Sequence, residues 1–276
     1  MVRPRLIALD LDETLLNRQS RLSPANDAAL RRAIAAGVEI VAATGRAYAT
    51  VPEEIRRYPG IRYAITGNGA AVYDLTTGEA IFRRTLPKGA AAEILRLTED
   101  ADVAYEAFLD GEAYAGQRYL GELEGYMMDD QRQEYVLATR IPVPDIRDFV
   151  LRHGDRMDSL AVIPRNMPVK QAVTELLRRE LREVYITTSS VRLIEINHQD
   201  CTKASALRYL AEGLHIPREL TAAFGNGDND ADMLIWAGCG VAMGDATEYC
   251  QASADHICAP YLQDGVAETF EEIFGI

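Results

Sequence analysis

The chain has 276 residues, of which 48% are hydrophobic and 26% charged, and its 29 Lys and Arg against 42 Asp and Glu give a net charge of −13. That length suggests one large domain or two modest ones, with area enough for a sizeable core. The acidity argues against a phosphate-backbone partner such as DNA, whose binders carry a basic face, and no stretch approaches the ~20 apolar residues of a membrane span.

Taken in chain order, RLIALD at the N-terminus reads as a fully buried strand, short and continuously apolar. SPANDAALRRAIAAG reads as a helix with Ser23 as N-cap, Pro24 at its first position and Gly37 as terminator. VEIVAAT is a second buried strand ending at Thr44. Strand, helix, strand with continuously apolar strands is a βαβ unit and points to a parallel sheet. The middle differs. AAVYDLTTGEAIFRRTL and DVAYEAFLDGEAYAG read as hairpins, around Thr-Thr-Gly and Asp-Gly. A helix near 145–153, the strand SLAVIP, a helix over 168–182 and YITTSS follow. The α/β alternation then returns: VRLIEIN (191–197) as a core strand, TKASALRYLAEGL as a helix, and TAAFG (221–225) as a strand running into GNGDND. ADMLIWAG is helical, CGVAMG and HICAP are strand-like, and GVAETFEEIFG closes as a helix. The expected organisation is an α/β fold: a Rossmann-like parallel-sheet core from residues 1–82 and 190–276, interrupted by an inserted α+β domain, 83–189.

Cys201, Cys239, Cys250 and Cys258 form no Cys-x-x-Cys pair and have no partnered His spacing, so free thiols in a reducing compartment are expected. The four-residue apolar run before Asp10 is too short for a signal peptide. A cytoplasmic protein is expected, with no nucleic-acid, membrane or protein partner.

Open α/β sheets bind ligands at the carboxyl ends of their strands. Asp10 and Asp12 follow the first strand. In an extended segment they would point the same way, and two carboxylates side by side repel unless a cation sits with them. Oxygen-only ligands favour a hard ion such as Mg²⁺; the bland alternative is a solvated turn. Thr44-Gly45-Arg46 follows the second strand and offers a hydroxyl, a free N–H and close backbone approach for an anion, or merely an N-cap and an exposed Arg. Lys203 opens a helix and is either a phosphate-neutralising ammonium or a surface lysine. Gly225-Asn226-Gly227-Asp228-Asn229-Asp230 lacks the Glu of a calcium loop and is by itself only a turn. Their shared placement at strand ends or helix starts lifts all four above these bland readings.

These motifs resemble the haloacid dehalogenase superfamily. Asp10-Leu11-Asp12-Glu13-Thr14 matches its Asp-x-Asp-x-Thr, Thr44 its second motif, Lys203 its third, and 225–230 its Gly-Asp-x-x-Asn-Asp, with Asn226 standing where the family has Asp. The Thr-Gly-Arg form, Asn68-Gly69, the long insertion before Lys203, Ala242-Met243-Gly244 and Asp264-Gly265-Val266-Ala267 are similar to its Cof-type branch (class IIB, C2B cap). The resemblance implies a Mg²⁺-dependent phosphatase acting on a small phosphate monoester, a sugar phosphate being one candidate. It implies Asp10 as nucleophile and Asp12 as acid and base. Thr44, Gly45, Arg46, Lys203 and Asn229 would bind phosphate or substrate, and Asp10, Asp12, Asn226 and Asp230 the metal. The inserted domain would close over the site and select the leaving group. Rivals are a phosphomutase of the same superfamily and a catalytically weakened or receiver-like phosphate-binding protein; Asp12 counts against the receiver and Asn226 favours the weakened binder.

Overall fold

The computed structural model describes residues 3–189 and 192–276. Its strands, in chain order, are β1 (Leu6–Leu9), β2 (Glu39–Ala43), β3 (Ile61–Thr66), β4 (Ala71–Asp74), β5 (Glu79–Arg83), β6 (Val103–Leu109), β7 (Glu112–Gly116), β8 (Ile141–Val143), β9 (Met157–Pro164), β10 (Val184–Thr187), β11 (Ile194–His198), β12 (Thr221–Gly225), β13 (Cys239–Ala242) and β14 (His256–Ile257). The chain divides into two compact units: Met1–Gly45, Val51–Phe82 and Thr202–Ile276 form the first, Arg46–Thr50 and Arg83–Cys201 the second.

The first unit holds an eight-stranded sheet in the order β14-β13-β12-β1-β2-β3-β4-β5. From β14 to β3 all neighbours run parallel, and β4 turns back antiparallel on β3. Both faces are covered, so β1 can present no polar side. Ile7 and Leu9 pack with Leu30, Ala33, Ile55 and Phe270, while Leu6 and Ala8 pack on the other face with Ala206, Leu207, Leu210 and Met233. Each fully buried leucine or isoleucine contributes about 1.5–3 kcal/mol by leaving water. The helix Pro24–Ala35 starts as its sequence dictates, Ser23 Oγ accepting from the Asn26 N–H at 3.1 Å. Asn26 itself is buried because both ends of its amide are used: it donates to Leu15 O (3.2 Å) and accepts from Ala267 N (3.1 Å).

The two ends of the insertion are tied down by contacts within this unit. The Phe82 and Tyr209 rings lie 5.0 Å apart, and Tyr209 donates from its hydroxyl to Ile81 O at 3.1 Å. A side chain on Gly69 would come within 2.2 Å of Thr202 O; only glycine lets that loop lie against the residue capping the helix Lys203–Gly213.

The second unit holds a six-stranded sheet, β10-β11-β9-β6-β7-β8, antiparallel except for β7 on β8. One face buries Tyr105, Leu160, Val162, Ile194 and Ile196 against Ile94, Val150, Val173 and Leu177. These last residues come from the helices Ala90–Leu97, Ile146–His153 and Met167–Glu180. Two expectations are corrected here. Residues 191–197 do not supply a core strand: β11 pairs antiparallel with β9 and β10, and the boundary falls at Cys201 rather than at 190. Its alternation Ile194-Glu195-Ile196-Asn197 is that of a strand with one apolar face, unlike the continuous LIAL of β1. Residues 190 and 191 lie outside the described residues. Arg46–Thr50 also leaves the first unit, with the Ala49 N–H donating to Gly111 O at 2.9 Å.

Candidate active site

Strand β1 is paired with β2 on one side and β12 on the other. The chain order reverses at β1, and in such sheets the crevice beyond the strand ends is the binding position. Asp10 and the 225–230 loop sit there. Asp10 is buried, and its N–H donates to Phe224 O at 3.0 Å.

Lys203 is the first residue of the helix Lys203–Gly213, whose start is fixed by a reciprocal cap between Thr202 and Ser205. Its side chain is wholly buried. Nζ donates to Asp10 Oδ1 at 2.7 Å and to Asp230 Oδ1 at 2.6 Å. The second oxygen of Asp230 accepts from the N–H groups of Asn226 (3.0 Å) and Gly227 (2.9 Å). Asp230 therefore anchors the loop and the lysine together. Gly225 permits this, since a side chain there would meet Asp230 Cβ at 2.3 Å.

One ammonium faces two carboxylates, so the group keeps a negative excess. Burial, and then the Asp230 charge, push the Asp10 carboxyl up to about 7, with Lys203 opposing them. Burial by itself would depress the Lys203 ammonium, but Asp10 and Asp230 outweigh it and hold the group above its ordinary value.

Thr44 and Asn229 are both buried, and Asn68 joins them. The Asn68 N–H donates to Thr44 O at 3.1 Å, and Asn229 Nδ2 donates to Asn68 Oδ1 at 2.9 Å. Asn68 thus lies beside two of the expected site residues, although the motif reading quoted it with Gly69 and gave it no role at the site. Its signal was Gly67-Asn68-Gly69 directly after a strand: Asn68 adopts φ 55°, a left-handed conformation that Asn tolerates.

Asp12 is half-buried and does not share an extended segment with Asp10. The strand ends at Leu9, and residues 11–16 close a tight turn. Leu16 N donates to Leu11 O at 2.8 Å and Glu13 N to Leu16 O at 2.9 Å, with Glu13 at φ 58°. The i, i+2 rule for strands does not apply there. Gly45 ends a segment of the first unit. Arg46 belongs to the second, where Nη1 donates to Thr50 O at 3.0 Å and the guanidinium lies 4.7 Å from the Tyr135 ring centre. Asn226 gives its carbonyl to Thr247 N at 2.9 Å.

Among the described residues no three acidic, His or Cys side chains come together as a metal cluster. The side chains expected to hold a metal, Asp10, Asp12, Asn226 and Asp230, nonetheless all offer oxygen. That set fits a hard divalent ion held by one or two carboxylates and completed by water and phosphate. The negative excess around Asp10 points the same way. Both Asp230 oxygens already accept hydrogen bonds, Oδ1 from the lysine and Oδ2 from two N–H groups.

A model of the haloacid dehalogenase-like hydrolase family matches residues 7–270. The chain belongs to this family. Phosphatase YwpJ of Bacillus subtilis (strain 168) is 29% identical, the match covering 98% of this chain and 99% of the relative. The 5-amino-6-(5-phospho-D-ribitylamino)uracil phosphatase YcsE of the same organism is 30% identical over 96% of this chain and 93% of its own. Among solved structures, a haloacid dehalogenase-like hydrolase from B. subtilis superposes with a TM-score of 0.84 at 29% identity, over 98% of this chain and 99% of that one. A subclass IIB sugar phosphatase of the superfamily shares the fold, with a TM-score of 0.81 at 22% identity and 98% and 99% coverage. The Cof-type fold, a parallel-sheet core with an inserted α+β cap, is thus that of this haloacid dehalogenase-like hydrolase. No helix among its described residues is long and apolar enough to cross a membrane.

Proposed function

We propose that this phosphoric monoester hydrolase cleaves a small phosphorylated metabolite in the cytoplasm, through an aspartyl-phosphate on Asp10 and with Mg²⁺. The observation that carries the reading is the buried Asp10 carboxylate at the sheet's reversal point, held against the Lys203 ammonium at 2.7 Å. The family and the phosphatase relatives support the reaction class. The names of relatives such as YcsE and the HMP-PP phosphatase of Klebsiella pneumoniae (strain 342) support a small phosphorylated metabolite, and a sugar phosphate is one candidate.

In this mechanism an Asp10 oxygen attacks phosphorus, and the ester oxygen leaves with a proton from the Asp12 carboxyl. The resulting aspartyl-phosphate splits one hard step into two. Asp12 then takes a proton from water, which attacks the same phosphorus and returns Asp10 and inorganic phosphate. Thr44, Lys203 and Asn229 hold the non-bridging oxygens, and Asn68 sets the orientation of the Asn229 amide. Charge stabilisation and positioning supply most of the rate in such transfers. Mg²⁺, typical of this superfamily, would neutralise charge so that two anions can meet; the Asp10 carboxylate, the Asp12 carbonyl and Asn226 would hold it. Asn226 offers an oxygen without charge, which favours a second reading, a metal-weakened phosphate binder.

The test is phosphate release from a panel of sugar and nucleotide monoesters, with and without Mg²⁺, by the wild type, Asp10→Asn and Asn226→Asp. Mg²⁺-dependent release lost in Asp10→Asn supports the proposal. No release by the wild type from any ester sinks it, and release by Asn226→Asp alone establishes the weakened binder.

A further inference from the structure

The chain contains two Asn-Gly pairs, Asn68-Gly69 and Asn226-Gly227, both in the first unit. The fold needs glycine at each. A side chain on Gly69 would come within 2.2 Å of Thr202 O, and one on Gly227 within 2.4 Å of Asn229 Oδ1. Glycine after asparagine carries a chemical liability. With no Cβ to obstruct the approach, its nitrogen can close a succinimide ring on the asparagine side chain.

The two side-chain amides are held very differently. Asn68 is buried, sits at φ 55°, and its Oδ1 accepts from Asn229 Nδ2 at 2.9 Å. Turning that amide onto Gly69 would break this bond and leave buried polar atoms unpaired, which is costly. Asn226 lies half-exposed between the end of β12 and the turn Asp228–Asp230. Its main chain is fixed: the N–H donates to Asp230 Oδ2 at 3.0 Å and the carbonyl accepts from Thr247 N at 2.9 Å. Its side-chain amide makes no hydrogen bond to a described residue. The Gly227 N–H donates to Asp230 Oδ2 at 2.9 Å. That bond must break for the ring to close, so the folded chain reacts more slowly than a free peptide of the same sequence.

We propose that Asn226 is a modification site, at which the side-chain amide is lost through a succinimide with Gly227 and the ageing chain acquires a carboxylate. The Gly227 nitrogen gives its proton to solvent and bonds to Asn226 Cγ, and the Cγ–Nδ2 bond breaks to release ammonia. Water then opens the ring. Attack at Cγ returns the native main chain with an aspartate side chain, and attack at the main-chain carbonyl gives an isoaspartyl link. By either route one amide and one water become one carboxylate and one ammonium, with no oxidation or reduction. The main-chain bonds to Asp230 and Thr247 favour the first product, because the second lengthens the chain by a methylene. Resting on the phosphatase reading, the change turns a neutral oxygen donor of the proposed metal-holding set into a charged one.

The test is peptide mapping by mass spectrometry of the full chain, fresh and after prolonged incubation at neutral pH without metal. A synthetic peptide of residues 221–232 and the variant Asn226→Gln, which would need a larger ring, are incubated alongside. Conversion is expected at Asn226 roughly tenfold or more faster than at Asn68, and slower than in the peptide. An intact Asn226 in the folded chain, at a time when the peptide is fully converted, overturns the proposal. Equal rates at positions 226 and 68 would place the reaction in unfolded chains and overturn it too. Acid formation as fast in Asn226→Gln would mean direct hydrolysis and overturn the ring. Mg²⁺ titrated calorimetrically onto fresh, aged and Asn226→Asp chains reads the consequence. Binding that tightens with age toward that of Asn226→Asp supports it, and unchanged binding after full conversion overturns the link to the metal. If no ester is hydrolysed, the phosphatase reading fails, while the mass map still decides this one.

Discussion

In the first unit one buried ammonium, Lys203, stands between two carboxylates, Asp10 and Asp230. In the second, one buried carboxylate, Glu106, stands beside Arg140 while Arg46 and Arg132 share the same aromatic ring. The two groups are near mirror images in charge. The first is short of a cation, as the proposed metal-assisted phosphoryl transfer would need. In the second, the Arg140–Glu106 pair is neutral by itself and two further guanidiniums lie at the ring. A chain of net charge −13 can thus still gather guanidinium groups at one ring, because bulk charge governs solubility and encounter rather than local packing.

The widest break in this comparison is expected from Asp10→Asn, which keeps the side-chain volume and removes the proposed nucleophile. Turnover should fall by about 10⁴-fold or more, as nucleophile deletions do, read as initial rates on the best ester of the panel. Lys203→Met comes next. It leaves Asp10 and Asp230 buried without their shared cation, and the loss should be about 3–5 kcal/mol in urea unfolding. A neutral result would mean that the two acids do not both need the ammonium. Glu106→Gln is the mirror experiment. Gln still accepts from Arg140, so a smaller loss of about 2–3 kcal/mol is expected. The smallest effect is expected from Asn226→Asp, which adds charge to the proposed metal-holding set. The Mg²⁺ concentration giving half-maximal rate should fall by about tenfold; an unchanged value would separate Asn226 from the metal.

Much of the first unit could be read from the sequence because its strands are buried on both faces. LIAL and EIVAA have no polar side to obscure them, and the motif residues follow at their carboxyl ends. The second unit was legible as a hairpin and helices, because Asp110-Gly111 announces the turn between β6 and β7. Its reach was not. Leu193 to Asn197 looked apolar enough for the core, although the alternation with Glu195 and Asn197 already indicated a one-sided strand. The membership of Arg46–Thr50 in that unit had no local signal, since it depends on a hydrogen bond to Gly111, far along the chain. At the site, Asp10, Lys203 and Asp230 come together as their motifs suggested. What spacing could not give was the turn at Glu13, which removes Asp12 from the strand, or the double engagement of Asp230. Asn68 was seen as a motif residue and missed as a partner, because pairing with Asn229 joins positions 161 residues apart.

The fastening of Phe82 by Tyr209, and of Thr202 by the Gly69 loop, has a consequence for descent and for engineering. The intervening segment begins and ends at points that the first unit holds by its own contacts. Sequence between them can diverge, lengthen or be exchanged for a cap from a relative while the helix carrying Lys203 keeps its start. One hydrolytic centre can in this way serve a succession of substrate preferences, and a chimera that swaps residues 83–201 between relatives should keep the chemistry of its core donor.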